Sequence, residues 1–124
     1  MEELAMVIKQ CAKSRLQRID LSSNKIGVKG ALNLLQALRA NMHLKVTHLN
    51  LDKANLAEGV MQEQVNNYFS MLRILAEYLR VTKNLRSLSL NNCQLGNEAA
   101  ASLAKGLSVN TTLEYLLLRG NNFA

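Results

Sequence analysis

Four stretches of the chain share one rhythm of apolar residues. They are LQRIDLSSNKI (16–26), VTHLNLDKANL (46–56), LRSLSLNNCQL (85–95) and LEYLLLRGNNF (113–123). Each carries apolar residues at relative positions 1, 4, 6 and 11, and the ninth position holds Asn24, Ala54, Cys93 and Asn121 in turn. Around positions 4 and 6 apolar and polar residues alternate, as a strand with one buried face requires. Position 9 is where the chain leaves the strand, and position 11 points back inward. The pattern therefore predicts strands near 17–22, 47–52, 86–91 and 114–119.

Between the strands the period changes to that of a helix. GVKGALNLLQALRAN places Leu34, Leu35 and Leu38 at helical spacing, and GNEAAASLAKGLSVN does the same with Leu103 and Leu107, with Ala100 and Ala104 beside them. Asn97 before Glu98 is a helix-start signal. The opening EELAMVIKQCAK has Leu4, Ile8, Cys11 and Ala12 on one face and reads as the helix of a preceding, incomplete unit.

One unit is thus strand, turn, helix, turn. Repeats start at 16, 46, 85 and 113, so they are spaced by 30, 39 and 28 residues. A single unit cannot bury its own apolar face, whereas stacked units bury a continuous core. The predicted fold is α/β: a solenoid of about four repeats, with parallel strands on the concave face and helices on the convex face, forming a single domain over 1–124. The second spacing is too long because an insertion falls within 57–80. Position 11 to the last helical leucine spans 12 residues from Ile26 to Leu38, but 23 from Leu56 to Leu79. EGVMQEQVNNYFSMLRILAEYLR sets Met61, Val65, Phe69, Leu72, Leu75 and Leu79 along one stripe. It is either one long helix or two, with Asn67 capping the second.

The pattern resembles the leucine-rich repeats of the ribonuclease-inhibitor type, in which each unit of about 28 residues carries a helix and Asn or Cys at position nine. LSLNNCQLGNEAAASLAKGLSVNTTLEYLLL is the best match, and the resemblance covers essentially the whole chain. Ala54 departs from it, and neighbouring Asn55 is the candidate substitute. The resemblance implies a structural ladder of Asn24, Cys93 and Asn121 bonded to loop backbone, with Asn24 buried. Functionally the class is broad. It includes enzyme inhibitors, innate immune sensors of the NOD-like type, GTPase-activating proteins and bacterial effectors, and fold alone does not choose among them.

In such a solenoid the residues between the buried strand positions face the concave side. They form three columns: Arg18, His48, Ser87 and Tyr115; Asp20, Asn50, Ser89 and Leu117; Ser22, Asp52, Asn91 and Arg119. Partner-binding candidates are Arg18, Asp20, His48, Asn50, Asp52, Ser89, Asn91, Tyr115, Leu117 and Arg119. The distinctive end is Tyr115, Leu117 and Arg119, because Tyr and Arg dominate interface hot spots. Leu117 either meets a partner or packs against a further repeat.

Composition narrows the function further. Of 124 residues 48% are hydrophobic but only 4% aromatic, so the core is aliphatic. The net charge is +6, yet the cations are scattered and no aromatic is interleaved among them, which disfavours nucleic acid. No apolar run is long enough to span a membrane. Two cysteines make no disulfide framework, and the acidic start is unlike a secretory signal. His48 lies near Asp20, Asn50 and Asp52 on the predicted sheet, but no nucleophile or third ligand at fixed spacing joins them. No catalytic, metal or cofactor site is expected. The sequence reads as a protein-binding module, cytoplasmic, or acting in a host cell if it is a secreted effector. The alternatives are a regulator of a partner enzyme, such as a GTPase activator, and a fragment of a larger innate-immune sensor or effector. The last strand has no following helix in the sequence, so its edge is expected to meet either another copy, as a homodimer, or further repeats of a longer chain.

Overall fold

The computed structural model describes residues 17–24, 26–41, 45–54, 56 and 65–123. The predicted first helix, Asn55, and most of the insertion before residue 65 lie outside them. The elements are β1 (Arg18–Asp20), α1 (Gly27–Ala40), β2 (His48–Asn50), α2 (Val65–Val81), β3 (Ser87–Ser89), α3 (Asn97–Leu107) and β4 (Tyr115–Leu117). The strands form one parallel sheet in the order β1-β2-β3-β4. Helix α1 packs on α2, and α2 on α3. The fold is a leucine-rich-repeat solenoid segment of the predicted α/β class.

The sheet is held by a backbone pattern that repeats at every junction. The carbonyl at position 2 of one coil accepts from positions 2 and 3 of the next: Gln17 from Thr47 and His48, Thr47 from Arg86 and Ser87, Arg86 from Glu114 and Tyr115. The N–H at position 6 reaches position 5 of the next coil (Leu21 to Asn50, Leu51 to Ser89, Leu90 to Leu117, each 2.9 Å). The N–H at position 8 reaches position 7 (Ser23 to Asp52, Lys53 to Asn91, Asn92 to Arg119). The ladder thus runs well past the formal strands.

Position 8 can make that bond because it is left-handed in all four coils, with φ of 62° at Ser23, 59° at Lys53, 56° at Asn92 and 74° at Gly120. The turn swings the chain towards the helix layer while its N–H still points sideways. An L-residue there is strained by roughly 1–2 kcal/mol. Glycine removes that strain but loses about 0.5–1 kcal/mol in unfolded-state entropy. Lys53 is exposed, and its side chain has no partner among the described residues. Lys53→Gly is therefore expected to raise stability by about 0.5–1 kcal/mol, read as a higher urea midpoint with unchanged slope.

The core lies between sheet and helices. Leu34, Leu35 and Leu38 of α1, Leu72 and Leu79 of α2, and Leu49, Leu51, Leu85, Leu88 and Leu90 of the coils are almost fully buried. Two helical stripes differ from expectation. Helix α2 runs through Asn66 and Asn67, so Asn67 does not cap a second helix. Its buried face is Tyr68, Met71, Leu72, Leu75 and Leu79, spaced by three and four, while Phe69, a further 100° round from Tyr68, is exposed. In α3 the buried residues are Ala99, Leu103 and Gly106, and Ala100 and Ala104 face out. Small residues on that face let α3 approach α2 closely.

Candidate partner-binding surface

The strand register aligns Arg18, His48, Ser87 and Tyr115 in one row, and Asp20, Asn50, Ser89 and Leu117 in the next. Arg18, His48 and Ser87 of the first row, all of the second row, and Asp52 border a shallow depression of about 320 Å³ on the concave face. Many of the polar groups here are already engaged. The N–H at position 7 opens each turn and needs an acceptor once it leaves the strand. In the first two coils the side chain at position 5 supplies it: Asp20 Oδ1 accepts from Ser22 N, and Asn50 Oδ1 from Asp52 N, both at 2.9 Å. The Ser22 bonds also hold the exposed Asp20 carboxyl below the usual range.

Coils three and four have Ser89 and Leu117 at position 5, so the acceptor comes from the preceding coil instead. Asp52 Oδ1 accepts from Asn91 N at 2.7 Å and from the Ser89 hydroxyl at 2.6 Å. Asn91 Oδ1 accepts from Arg119 N at 2.7 Å. Ser89 is only 5% exposed, so its hydroxyl orients Asp52 rather than meeting solvent. Asn50, Asp52 and Asn91 are half-buried. His48 is half-buried too, with Nδ1 2.8 Å from the Thr47 hydroxyl.

The β4 end is different. Tyr115 is 62% and Leu117 46% exposed, and Arg119 is exposed. No partner is recorded for the Arg119 guanidinium among the described residues. Arg18 and Asp20, at the opposite end, are also exposed.

The ninth-position ladder points backwards along the chain. Asn121 Nδ2 donates to Leu90 O at 2.7 Å and to Leu118 O at 3.1 Å, and its Oδ1 accepts from Cys93 N and Leu95 N, each at 3.0 Å. Cys93 makes the first of these contacts one coil earlier, Sγ to Leu51 O at 3.0 Å. Burial pushes its thiol pKa up, against the opposing pull of the Ala54 and Lys53 N–H groups. Ala54 is buried and its side chain offers no acceptor, so the N–H groups of Asn24 and Ile26 turn to carbonyls of their own coil. The expected burial of Asn24 is not met. Asn24 is exposed, and its Nδ2 donates locally to Ser22 O at 3.3 Å. A ladder residue bonds the coil before it, and no described coil precedes β1.

A family model described as Leucine Rich repeat matches residues 14–35 and 82–104. The chain is a leucine-rich-repeat protein. It is 33% identical over 117 residues to Protein NLRC5 of Mus musculus, covering 94% of this chain and 5% of that protein. It is 31% identical over 128 residues to NACHT, LRR and PYD domains-containing protein 12 of Homo sapiens, covering 89% of this chain and 12% of that protein. The leucine-rich repeats described here are thus of the NOD-like-receptor type, and the chain spans a small part of the length of those relatives. Among the described residues no group of His, Cys, Asp and Glu could hold a metal ion, and no helix is long and apolar enough to cross a membrane.

Proposed function

We propose that this leucine-rich-repeat segment is a non-catalytic, intracellular protein-interaction module, one part of a larger sensor of the NOD-like type, and that it binds a protein partner through the concave face. The observation that carries the reading is the change of character along that face. From Asp20 to Asn91 many of the side chains are engaged in holding the turns of their own coil or of the next. At Tyr115, Leu117 and Arg119 an aromatic, an aliphatic and a cation stand exposed side by side. An exposed apolar pair beside a cation suits a partner segment with an apolar anchor next to a carboxylate. The relatives support the sensor context.

Tyr115→Ala with Arg119→Ala is expected to change stability by less than about 0.5 kcal/mol, since both side chains are exposed. It should weaken partner binding by at least tenfold, about 1.4 kcal/mol. Affinity capture from a native lysate, quantified by mass spectrometry for wild type and variant at equal melting temperature, checks this. Proteins retained equally by both would remove the concave end as the site.

A further inference from the structure

The depression on the concave face brings two carboxylates together in a chain whose net charge is +6. Asp52 is the oriented one. Its Oδ1 accepts from the Ser89 hydroxyl at 2.6 Å and from Asn91 N at 2.7 Å. Its Oδ2 receives only a long contact, 3.4 Å from Asn91 Nδ2. A carboxylate offers about four lone-pair sites, so Oδ2 keeps accepting capacity. Ser89 is buried, so the group that aims Asp52 is itself fixed. Asp20 stands one coil earlier and two residues back, a Cα separation of roughly 8 Å for parallel neighbours. Its Oδ1 holds Ser22 N, and its Oδ2 has no recorded partner among the described residues. Neither carboxylate forms an ion pair among the described residues, and neither does Arg18, the arginine lining the depression, which is exposed at its β1 end. A half-buried carboxylate without a counter-charge carries a desolvation cost that an incoming cation offsets.

The lining also says which cation fits. A metal ion does not, since no group of His, Cys, Asp and Glu among the described residues could hold one. An organic cation brings its own donors. A guanidinium presents a planar fork to carboxylate oxygens, is weakly hydrated, and packs its flat face on apolar surface. Leu117, 46% exposed, supplies that surface at the β4 end of the depression. We propose that the depression receives an arginine side chain of the protein partner, its guanidinium donating to Asp52 Oδ2 within reach of Asp20, its stem lying against Leu117. The proposal rests on the concave-face reading and adds a second charge to the partner. Arg119 holds the same place in its coil as Asp52, two strands further on, or roughly 10 Å away. The partner segment therefore carries a carboxylate opposite Arg119 and an arginine roughly 10 Å from it.

Titration of the full chain with N-acetyl-arginine amide, followed in amide NMR spectra, tests the depression without the partner. Saturable shifts are expected at His48, Asn50, Asp52 and Leu117. N-acetyl-citrulline amide, the neutral molecule of nearly the same shape, should produce none. Asp52→Asn keeps an oxygen for Asn91 N and the Ser89 hydroxyl, so the turn persists, but it removes the charge. It should raise the dissociation constant for the arginine probe at least about tenfold, the loss expected for a charge-assisted bond. The citrulline comparison on wild type decides the matter even if the variant folds poorly. Equal binding of the two probes, no saturable shift, shifts centred on Glu77 or Glu114, or a folded Asp52→Asn chain that binds like wild type would each overturn the proposal. The probe does not depend on Tyr115 or Arg119, so this test and the capture experiment can fail separately.

Discussion

Asn121→Ala is expected to destabilise the protein by about 2–3 kcal/mol, and Asn24→Ala by less than about 0.5 kcal/mol, although both residues hold the same place in the repeat. The difference lies in their partners. The Asn121 side chain makes four hydrogen bonds that join the third and fourth coils. Alanine would leave Cys93 N, Leu95 N and Leu90 O unsatisfied in a half-buried turn. A hydrogen bond is worth about 0.5–1.5 kcal/mol net, and a stranded buried partner costs more. Asn24 is exposed and bonds one carbonyl of its own turn. Because each coil touches only its neighbours, the Asn121 loss should appear first as fraying of the last coil. Amide exchange of Tyr115–Leu117 should accelerate before the helices respond, and the melting temperature should fall by about 10 °C. Equal effects of the two substitutions would contradict the directional ladder.

Gly106→Val is expected to cost about 3 kcal/mol or more and to act on the whole molecule. Gly106 sits in α3 where it crosses α2. A Cβ at this position would lie 2.9 Å from Ala76 O and 2.9 Å from Leu79 Cβ, with Ala76 Cα at 3.2 Å. Two of those atoms are backbone, so no rotamer relieves the clash and α3 must move off α2. Overpacking of this kind costs about 1–3 kcal/mol per small increment. Alanine recovers about 1 kcal/mol of helix propensity, leaving Gly106→Ala mildly destabilising. Valine adds two methyls and recovers less. The two helices share buried Leu79 and Leu103, so their separation opens the core between coils. Urea unfolding of both variants checks the grading, and a valine variant as stable as wild type would show that the helix layer is loose here.

Much of the scaffold was legible because burial repeats. The leucines at positions 1, 4 and 6 located every strand to within a residue or two, and alternation placed the first two columns in the observed register. Three things were hidden. The left-handed turn at position 8 is carried by Ser, Lys and Asn as well as Gly, so residue type did not mark it. The direction of the ladder depends on which neighbour a side chain reaches, which one coil's sequence does not state; hence the error at Asn24. The polar side chains of the concave face looked free because alternation gives only orientation. Whether Asp52 is available depends on Ser89 and Asn91, far away in sequence, closing around it. Phe69 was misplaced for a local reason, since at the edge of an apolar stripe a shift of one residue decides exposure.

The central claim is that a partner docks on the concave end. Hydroxyl-radical footprinting of the chain, free and with the protein it captures, tests this most directly, because the exposed large apolar residues lie on different surfaces. Binding should lower oxidation of Tyr115 and Leu117 severalfold and leave Phe69 and Val109 unchanged. Protection of Phe69 or Val109 with Tyr115 and Leu117 still reactive would place the partner elsewhere and contradict the account.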